Sequence, residues 1–305
     1  MRNTFINTII NACKIRGDIF IISGDAGLGV FDEFKILYPD RFLNLGVAEQ
    51  NMTSFSAGLS MAGFKVYLYN IVTFLLYRCY EQVRNDICYQ VLPVTLVGIG
   101  SGITYAPQGM THYSVEDIGL AQTLPNLTVI SPIDPVEAEL AAEYSLNAKE
   151  PVYIRLAKRG EPAIHSRKDF DITVPQVVRE GSDIAILFHG SISNDVMDAY
   201  NKLSKENISP MLVSVPVIQP LNKECLFAVL KGMKYVVFVE EHFENTGLGS
   251  ILMRFYCECK PSWKIKTMGI PYRFIHEIKD TVNMRRLFGI SSEGIVKVVK
   301  DMLEV

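Results

Sequence analysis

Short apolar runs rich in β-branched residues alternate with longer amphipathic stretches along the first half of the chain. The runs are IFIIS at 19–23, VTLVGI at 94–99, LTVIS at 127–131 and VYIRL at 152–156. They are too short for helices and too uniformly apolar for half-exposed strands, which predicts buried parallel strands. Helices are predicted between them at 49–62, 74–90 and 134–147, the last with Asp134 as its N-terminal cap and Pro135 at its first position.

The pattern breaks from about 160 to 182, where the chain is polar and carries two prolines and two glycines. This composition predicts a linker or a connecting hairpin at 161–182. Strand-like runs resume at 183–188, 211–216, 235–240 and 264–270. We therefore predict an α/β protein of two doubly wound, three-layer domains, one spanning 1–160 and the other 183–305.

The composition narrows the classes of function. Of the 305 residues, 49% are hydrophobic and 21% are charged, which is enough apolar material for two cores. A net charge of -3 gives no reason to expect nucleic acid or an anionic membrane as a partner. No apolar run reaches the roughly 18 residues that cross a bilayer, and the start lacks a continuous signal-peptide core, which predicts a cytoplasmic protein. The six cysteines form no CxxC pair, so we expect reduced thiols rather than a zinc site.

Ligands of doubly wound sheets bind where strands end and helices begin, and three such segments carry candidate chemistry. GDAGLG at 24–29 matches neither the dinucleotide fingerprint nor a Walker loop. LGVAEQNM at 45–52 puts Glu49 in the first turn of a small, apolar helix, whose surface would desolvate the carboxylate. The common alternative is a glutamate favoured by the helix dipole. His112 lies in a glycine-containing loop, where a lone histidine is more often structural than catalytic.

The order of these segments resembles a known family. GDAG, LGVAEQNM, TFLLYRCYEQVRND, QGMTHYSVEDIGLAQTLPNLTVISPIDPVEAE and YIRLAKRGEP follow one another as in the pyrimidine-binding domain of transketolases. Deoxyxylulose-phosphate synthases are similar more distantly. The resemblance is close over residues 1 to about 160 and looser beyond, where VPVIQPLN at 215–222 and EEHFENTGLGS at 240–250 look like the family's C-terminal domain.

The resemblance implies roles for individual residues. Glu49 would hydrogen-bond the aminopyrimidine ring of thiamine diphosphate and drive its tautomerisation, which activates the cofactor. His112 would contact the substrate's hydroxyl and carbonyl oxygens. Phe74 would stack on the pyrimidine, with Tyr77 as the fallback. The remaining residues that the resemblance implies are Asp25 near the cofactor, and Arg2 and Lys158 (or Arg159) for a sugar phosphate.

Two departures from the family's pattern concern the substrate. Relatives carry an aspartate four residues before the histidine of the TH motif, and this chain has Gln108 there. Many transketolases also carry a histidine twelve residues before it, where this chain has Gly100. The resemblance therefore implies cofactor activation while it leaves the donor and acceptor sugars open.

One family motif is missing from the chain. The diphosphate and its metal ion, Mg²⁺ or Ca²⁺, are held in this family by GDG followed downstream by an asparagine, and the sequence contains no GDG. Met1 stands directly ahead of the pyrimidine-domain pattern, which indicates a natural subunit rather than a fragment. We therefore expect a separate N-terminal subunit of roughly 250–300 residues to supply that site. Two copies of each chain would form an α2β2 assembly around a homodimeric core.

Two other functions remain open at this point. The β subunit of a 2-oxoacid dehydrogenase also supplies a glutamate to thiamine diphosphate from a separate chain, although THxxxED and RCYEQVRND are closer to transketolase. A non-catalytic partner subunit is the second alternative. Retention of both Glu49 and His112 argues against it, since a scaffold needs neither.

Overall fold

The computed structural model describes residues 1–158, 160–166 and 168–304, which form two α/β units built on separate sheets. The first sheet has seven strands in the order β10-β5-β6-β4-β3-β1-β2. Its strands are β1 (Ile19–Ser23), β2 (Phe42–Asn44), β3 (Lys65–Ile71), β4 (Thr95–Ile99), β5 (Thr128–Ile130), β6 (Val152–Leu156) and β10 (Val217–Gln219). All neighbouring pairs are parallel except β10 with β5. The four strands predicted in this half are thus confirmed, and β2, β3 and β10 are additional.

Helices cover both faces of this sheet. They are α1 (Arg2–Ala12), α2 (Asp32–Leu37), α3 (Glu49–Met61), α5 (Asp117–Gln122) and α6 (Pro135–Asn147). The first, second and last of these pack on one face, and the other two on the opposite face, so the domain has three layers. The predicted start of α6 is confirmed, because the Asp134 side chain accepts a hydrogen bond from the Glu137 N–H at 2.9 Å.

The helix predicted at 74–90 is present but irregular. Residues Thr73–Tyr77 and Val83–Cys88 are π-helical, and only the short α4 (Tyr80–Gln82) between them has α geometry. A π turn inserts an extra residue into a helix and often occurs at a functional site. Here the first π turn carries Phe74, so the irregularity lies next to the cavity described below.

The second sheet has five strands in the order β12-β11-β8-β9-β7. They are β7 (Gln176–Arg179), β8 (Ile184–Phe188), β9 (Met211–Ser214), β11 (Tyr235–Phe243) and β12 (Lys264–Ile270). The flanking helices are α7 (Ser193–Ser204), α8 (Lys223–Val229), α9 (Leu248–Cys259), α10 (Thr281–Leu287) and α11 (Ser292–Leu303). The two predicted doubly wound α/β domains are therefore confirmed as a fold class. In the part of the chain that the structure describes, no helix is both long enough and apolar enough to span a bilayer.

The division between the domains is less clean than the sequence suggested. The segment 161–182, predicted as a linker or a connecting hairpin, contains β7, which pairs antiparallel with β9 and belongs to the second sheet. In the opposite sense, β10 lies in the second half of the sequence but pairs antiparallel with β5 of the first sheet. Each sheet therefore includes one strand from outside the sequence range predicted for its domain.

A buried ion pair of the first domain also contacts the second domain. Arg155 on β6 donates from Nε to Asp117 Oδ2 at 2.7 Å, and both side chains are fully buried. A second guanidinium nitrogen, Nη2, donates to the backbone oxygens of Ser114 at 2.9 Å and Glu241 at 3.1 Å, the latter in β11. Tyr153 completes the cluster by donating its hydroxyl to Asp117 at 2.7 Å. The guanidinium therefore connects the first sheet, the segment before α5 and the second domain.

Asp117→Ala should destabilise the protein strongly, because it leaves the Arg155 charge buried without its partner. The expected loss is about 3–5 kcal/mol, the range found when one member of a buried pair is removed. Urea unfolding followed by circular dichroism would measure it. Lys168→Ala is the matched control, since it removes an exposed pair with Glu139 and should leave the unfolding midpoint unchanged. Equal midpoints for both variants would contradict the importance of the buried pair.

Candidate active site

A cavity of about 440 Å³ lies at the carboxyl ends of β1, β3 and β4, next to the N-terminus of α3. This is the edge of a parallel sheet where ligands of such folds bind. The residues that line it come from six separate segments: Arg2, Gly24, Asp25, Ala26, Gly27, Leu28, Val47, Glu49, Tyr69, Asn70, Ile71, Phe74, Arg78, Ile99 and Tyr105. Of the residues predicted from the sequence, the cavity brings together Glu49, Phe74, Asp25 and Arg2.

Glu49 is held at the base of this cavity with only 4% of its surface exposed. It is the first residue of α3, so its carboxylate stands at the positive end of the helix dipole. Its Oε2 accepts a hydrogen bond from Arg78 Nη1 at 2.7 Å. A carboxylate has about four acceptor sites, so this pairing leaves capacity for a ligand donor. The structure thus places a positive counter-charge beside Glu49, whereas the sequence predicted only a desolvated carboxyl.

Phe74 and Arg78 form one side of the cavity. The guanidinium carbon of Arg78 lies 4.8 Å from the centroid of the Phe74 ring, within the range of a cation–π contact. The same guanidinium binds Glu49, so it bridges the aromatic ring and the carboxylate. Arg78 was not predicted, although a signal existed: it follows Phe74 by four residues in a predicted helix, a spacing that puts two side chains on one face.

Tyr77, the fallback for the stacking residue, does not line the cavity. Its hydroxyl donates to Glu116 Oε2 at 2.9 Å and accepts from the Glu116 N–H at 3.0 Å. These contacts direct the side chain toward the segment before α5 instead of the cavity. The π turn explains the outcome, because the extra residue rotates Tyr77 away from the face that Phe74 presents.

His112 lies beside Phe74 at the end of a short 3-10 turn. Its ring meets the Phe74 ring edge-on with 5.4 Å between centroids, and the Tyr105 ring is 5.9 Å away. Nδ1 is 2.9 Å from the Thr111 hydroxyl, which fixes the ring's orientation. Burial lowers the pKa of His112 below its ordinary value, and the nearby charge of Lys158 lowers it further. The imidazole is therefore neutral at pH 7 and can both donate and accept a hydrogen bond.

The remaining predicted residues lie at different distances from this centre. Asp25 lines the cavity in a left-handed conformation, φ 52°, and its N–H donates to Asn44 Oδ1 at 3.0 Å. Lys158 lies outside that cavity with Nζ 4.6 Å from the centroid of the Tyr105 ring, and it lines a neighbouring cavity between the domains. Gln108 is exposed on a 3-10 turn. Arg159, the alternative to Lys158, lies outside the described residues.

Tyr105 is the second residue that sequence reasoning missed. It lines the cavity together with Glu49 and also contacts both His112 and Lys158. A sequence signal for it is hard to find, because it lies in an irregular loop whose course depends on contacts with distant residues. Ile103, two positions earlier, donates its N–H to Glu241 Oε1 in the second domain at 2.6 Å.

The cavity fits a flat heterocycle better than a phosphate. A buried carboxylate and a half-buried aromatic ring with a cationic neighbour suit a ligand ring that carries both nitrogen atoms and a π face. An aminopyrimidine has these properties, so Glu49 and Phe74 are the residues that would hold the pyrimidine end of thiamine diphosphate.

Comparison with protein families assigns both halves of the chain. The family model described as "Transketolase, pyrimidine binding domain" matches residues 1–161, and "Transketolase, C-terminal domain" matches residues 175–295. A subunit of the apulose-4-phosphate transketolase of Actinobacillus succinogenes is 34% identical over 97% of this chain and 96% of its own length. A 1-deoxy-D-xylulose-5-phosphate synthase of Caldanaerobacter subterraneus is 33% identical over 87% of this chain but only 43% of its own length.

Solved structures give the same division between long and short relatives. One described as "Split gene transketolase, inactive beta4 tetramer" has a TM-score of 0.88 and 26% identity, covering 98% of this chain and 97% of that one. A transketolase of Campylobacter jejuni has a TM-score of 0.82 and 19% identity, and shares the fold over 98% of this chain but 46% of its own. The chain therefore spans less than half of these longer relatives and almost all of the shorter ones.

The charge of Lys158 should be visible in the titration of His112. In the wild-type chain, the His112 imidazole should titrate below its ordinary value, and Lys158→Met should raise its pKa because one cause of the depression is removed. Proton NMR of the histidine ring signals, assigned with His112→Asn, would measure the shift. Lys223→Met, which removes a lysine next to Phe255 in the second domain, is the control and should leave the His112 signal in place. An unchanged His112 titration in Lys158→Met would show that the two groups do not interact.

Proposed function

The chain belongs to the thiamine-diphosphate-dependent transketolase family, and from this premise we propose that it is the C-terminal subunit of a split transketolase. The single observation that carries the proposal is the cavity that the buried Glu49 carboxylate and the Phe74 ring line together. Both family domains accompany it, and the part of this chain that aligns with a longer relative covers only 43% of that relative's length. The proposed reaction transfers a two-carbon ketol unit from a ketose to an aldehyde.

In this proposal Glu49 works on a nitrogen of the pyrimidine ring. In its protonated form the Glu49 carboxyl would donate a hydrogen bond to that nitrogen and pass its own proton to it, while Phe74 would orient the ring by stacking. Thiamine diphosphate, when bound, supplies the nucleophilic carbon and the electron sink for carbon–carbon bond cleavage. Glu49 is nearly excluded from water, so solvent screens the electrostatic interaction between its carboxyl group and the transferred proton only weakly.

His112 is proposed to bind the substrate. Its neutral imidazole can donate to a carbonyl oxygen in one tautomer or accept from a hydroxyl in the other, and a ketose presents both kinds of oxygen at the bond to be broken. The Thr111 hydroxyl holds Nδ1 at 2.9 Å, so Nε2 is the ring nitrogen left to face a substrate. Asp25 and Arg2 line the same cavity and are proposed as a cofactor contact and a substrate contact, respectively.

The diphosphate and the metal ion are proposed to lie on a separate subunit. Relatives that this chain matches end to end are named as one subunit of a transketolase or were solved from a split gene, whereas it covers less than half of the longer relatives. A GDG-containing N-terminal subunit would hold Mg²⁺ or Ca²⁺ and complete the site across an α2β2 interface. The substrate is proposed to be a sugar phosphate, since relatives 34% and 26% identical are named for apulose 4-phosphate.

Glu49→Gln should abolish ketol transfer by the reconstituted enzyme while the variant chain still folds and binds its partner. The amide is the same size but cannot carry the proton that the carboxylate moves, and losses of roughly 10²–10⁴-fold are typical for removal of such a group. Steady-state ketol transfer and size-exclusion chromatography would test both parts. Glu81→Gln, which changes an exposed carboxylate on α4, is the control and should retain activity. Full turnover by Glu49→Gln would disprove the assigned role.

Thiamine diphosphate should bind tightly only when the partner chain is present. The purified chain, titrated calorimetrically with thiamine diphosphate and Mg²⁺, should show at most weak binding because it holds only the pyrimidine end. Addition of a GDG-containing partner should produce tight binding and ketol transfer. Tight binding and turnover by this chain alone would contradict the split arrangement. Acyl transfer to lipoamide by the pair, in place of ketol transfer, would identify a 2-oxoacid dehydrogenase.

A further inference from the structure

Tyr105 occupies a space that a side chain at position 100 would otherwise fill. A Cβ atom added to Gly100, just past the end of β4, would lie 2.1 Å from Cδ2 and 2.2 Å from Cε2 of the Tyr105 ring. Gly100 also has a φ of 91°, which residues with a side chain rarely adopt. The glycine and the tyrosine are therefore a matched pair, because the ring fills the space that a side chain at position 100 would need.

The backbone around Tyr105 is fixed by hydrogen bonds on both sides. The Ala106 N–H donates to the Ile103 carbonyl and the Gln108 N–H to the Tyr105 carbonyl, each at 2.8 Å. Ile103 is in turn held by Glu241 of the second domain at 2.6 Å. The ring is thus preorganised by the fold before any substrate binds.

Two cations lie close to the Tyr105 ring. Lys158 Nζ is 4.6 Å from the ring centroid, and Arg2 lines the same cavity as the ring. Burial raises the pKa of the Tyr105 hydroxyl and the positive charge of Arg2 opposes that rise, so the phenol is neutral at pH 7. His112, the proposed substrate ligand, is 5.9 Å away between ring centroids. The Tyr105 ring therefore contacts both His112, the proposed substrate ligand, and the ammonium group of Lys158.

We propose that Tyr105 is a positioning and specificity-determining residue, which holds Lys158 beside His112 so that the site selects a phosphate-bearing sugar over its unphosphorylated form. The inference rests on the proposed function of the cavity. A lysine ammonium is strongly hydrated and flexible, and it stays near a particular site only if a neighbour holds it there. The ring face provides that attraction, and the adjacent Gly100 leaves room for the ring.

A double-mutant cycle in the reconstituted enzyme tests this role. The variants are Tyr105→Leu, Lys158→Met and the double mutant, assayed with D-glyceraldehyde 3-phosphate and with D-glyceraldehyde as acceptors. Tyr105→Phe keeps the ring and should behave as wild type. Tyr89→Leu removes a tyrosine that is 79% exposed and serves as the matched control. Thiamine diphosphate affinity, measured for each variant, separates cofactor effects from acceptor effects.

Tyr105→Leu should raise KM for the phosphorylated acceptor about fivefold, with kcat and the unphosphorylated acceptor changed less. Because Tyr105 acts through Lys158, the double mutant should lose no more discrimination than Lys158→Met alone. If the losses of the two single mutants added up in the double mutant, the proposal would be overturned. Equal losses on both acceptors in Tyr105→Leu would also overturn it. Absence of ketol transfer to either acceptor in the wild-type complex would instead refute the proposed function.

A binding measurement on the isolated chain tests the same role without requiring ketol transfer. Inorganic phosphate added to the isolated chain should shift the NMR signal of the His112 ring in the wild type and in Tyr105→Phe. The shift should be weaker in Tyr105→Leu and Lys158→Met. No phosphate-dependent shift in the wild type, or an undiminished shift in Tyr105→Leu, would show that the ring does not hold a phosphate-binding lysine at this site.

Discussion

The buried pairing of Arg155 with Asp117 is the constraint on which the arrangement of the site depends. A guanidinium taken out of water needs partners for its donors, and Nε and Nη2 of Arg155 find theirs on three parts of the chain. One of those parts is Ser114, which lies two residues after His112. The loop that carries His112 is therefore anchored to the buried guanidinium through the backbone oxygen of Ser114. A loop fixed in this way can keep its side chains oriented without a ligand.

The second domain contributes to the same support. Its Glu241 accepts from Ile103 on the active-site loop and also binds Arg285 of α10, whose guanidinium continues to Asp195 of α7 at 2.8 Å. Hydrogen bonds of buried charged side chains thus connect the first sheet, through Glu241, to helices of the second domain. In addition, β10 extends the first sheet at the edge formed by β5. Through these contacts, the second half of the chain supports the structure of the pyrimidine-binding domain.

Much of this could be anticipated from local sequence, because the strand runs and the order of the glycine-rich loops are local signals. Glu49 and Phe74 lie in the same cavity for that reason, since both follow strands of one parallel sheet. What local signals could not supply were residues placed by distant partners. Tyr105 depends on Glu241 more than 130 positions away, and β10 reads as part of the second domain until its pairing is seen. Tyr77 was misplaced because the π turn adds a residue that helical periodicity does not anticipate.

Arg78 connects these observations to the entry of a cofactor. Its guanidinium is flat, carries N–H donors, lies on the Phe74 ring and binds the Glu49 carboxylate. An aminopyrimidine that stacked on this ring face and bonded to Glu49 would use the same two groups. A ring in that place would take the position of the guanidinium, and Arg78 is 46% exposed, so its side chain can turn into water without losing hydration. The carboxylate is thus paired with Arg78 in the isolated chain, and under the proposed function it would exchange this charged protein partner for a cofactor partner.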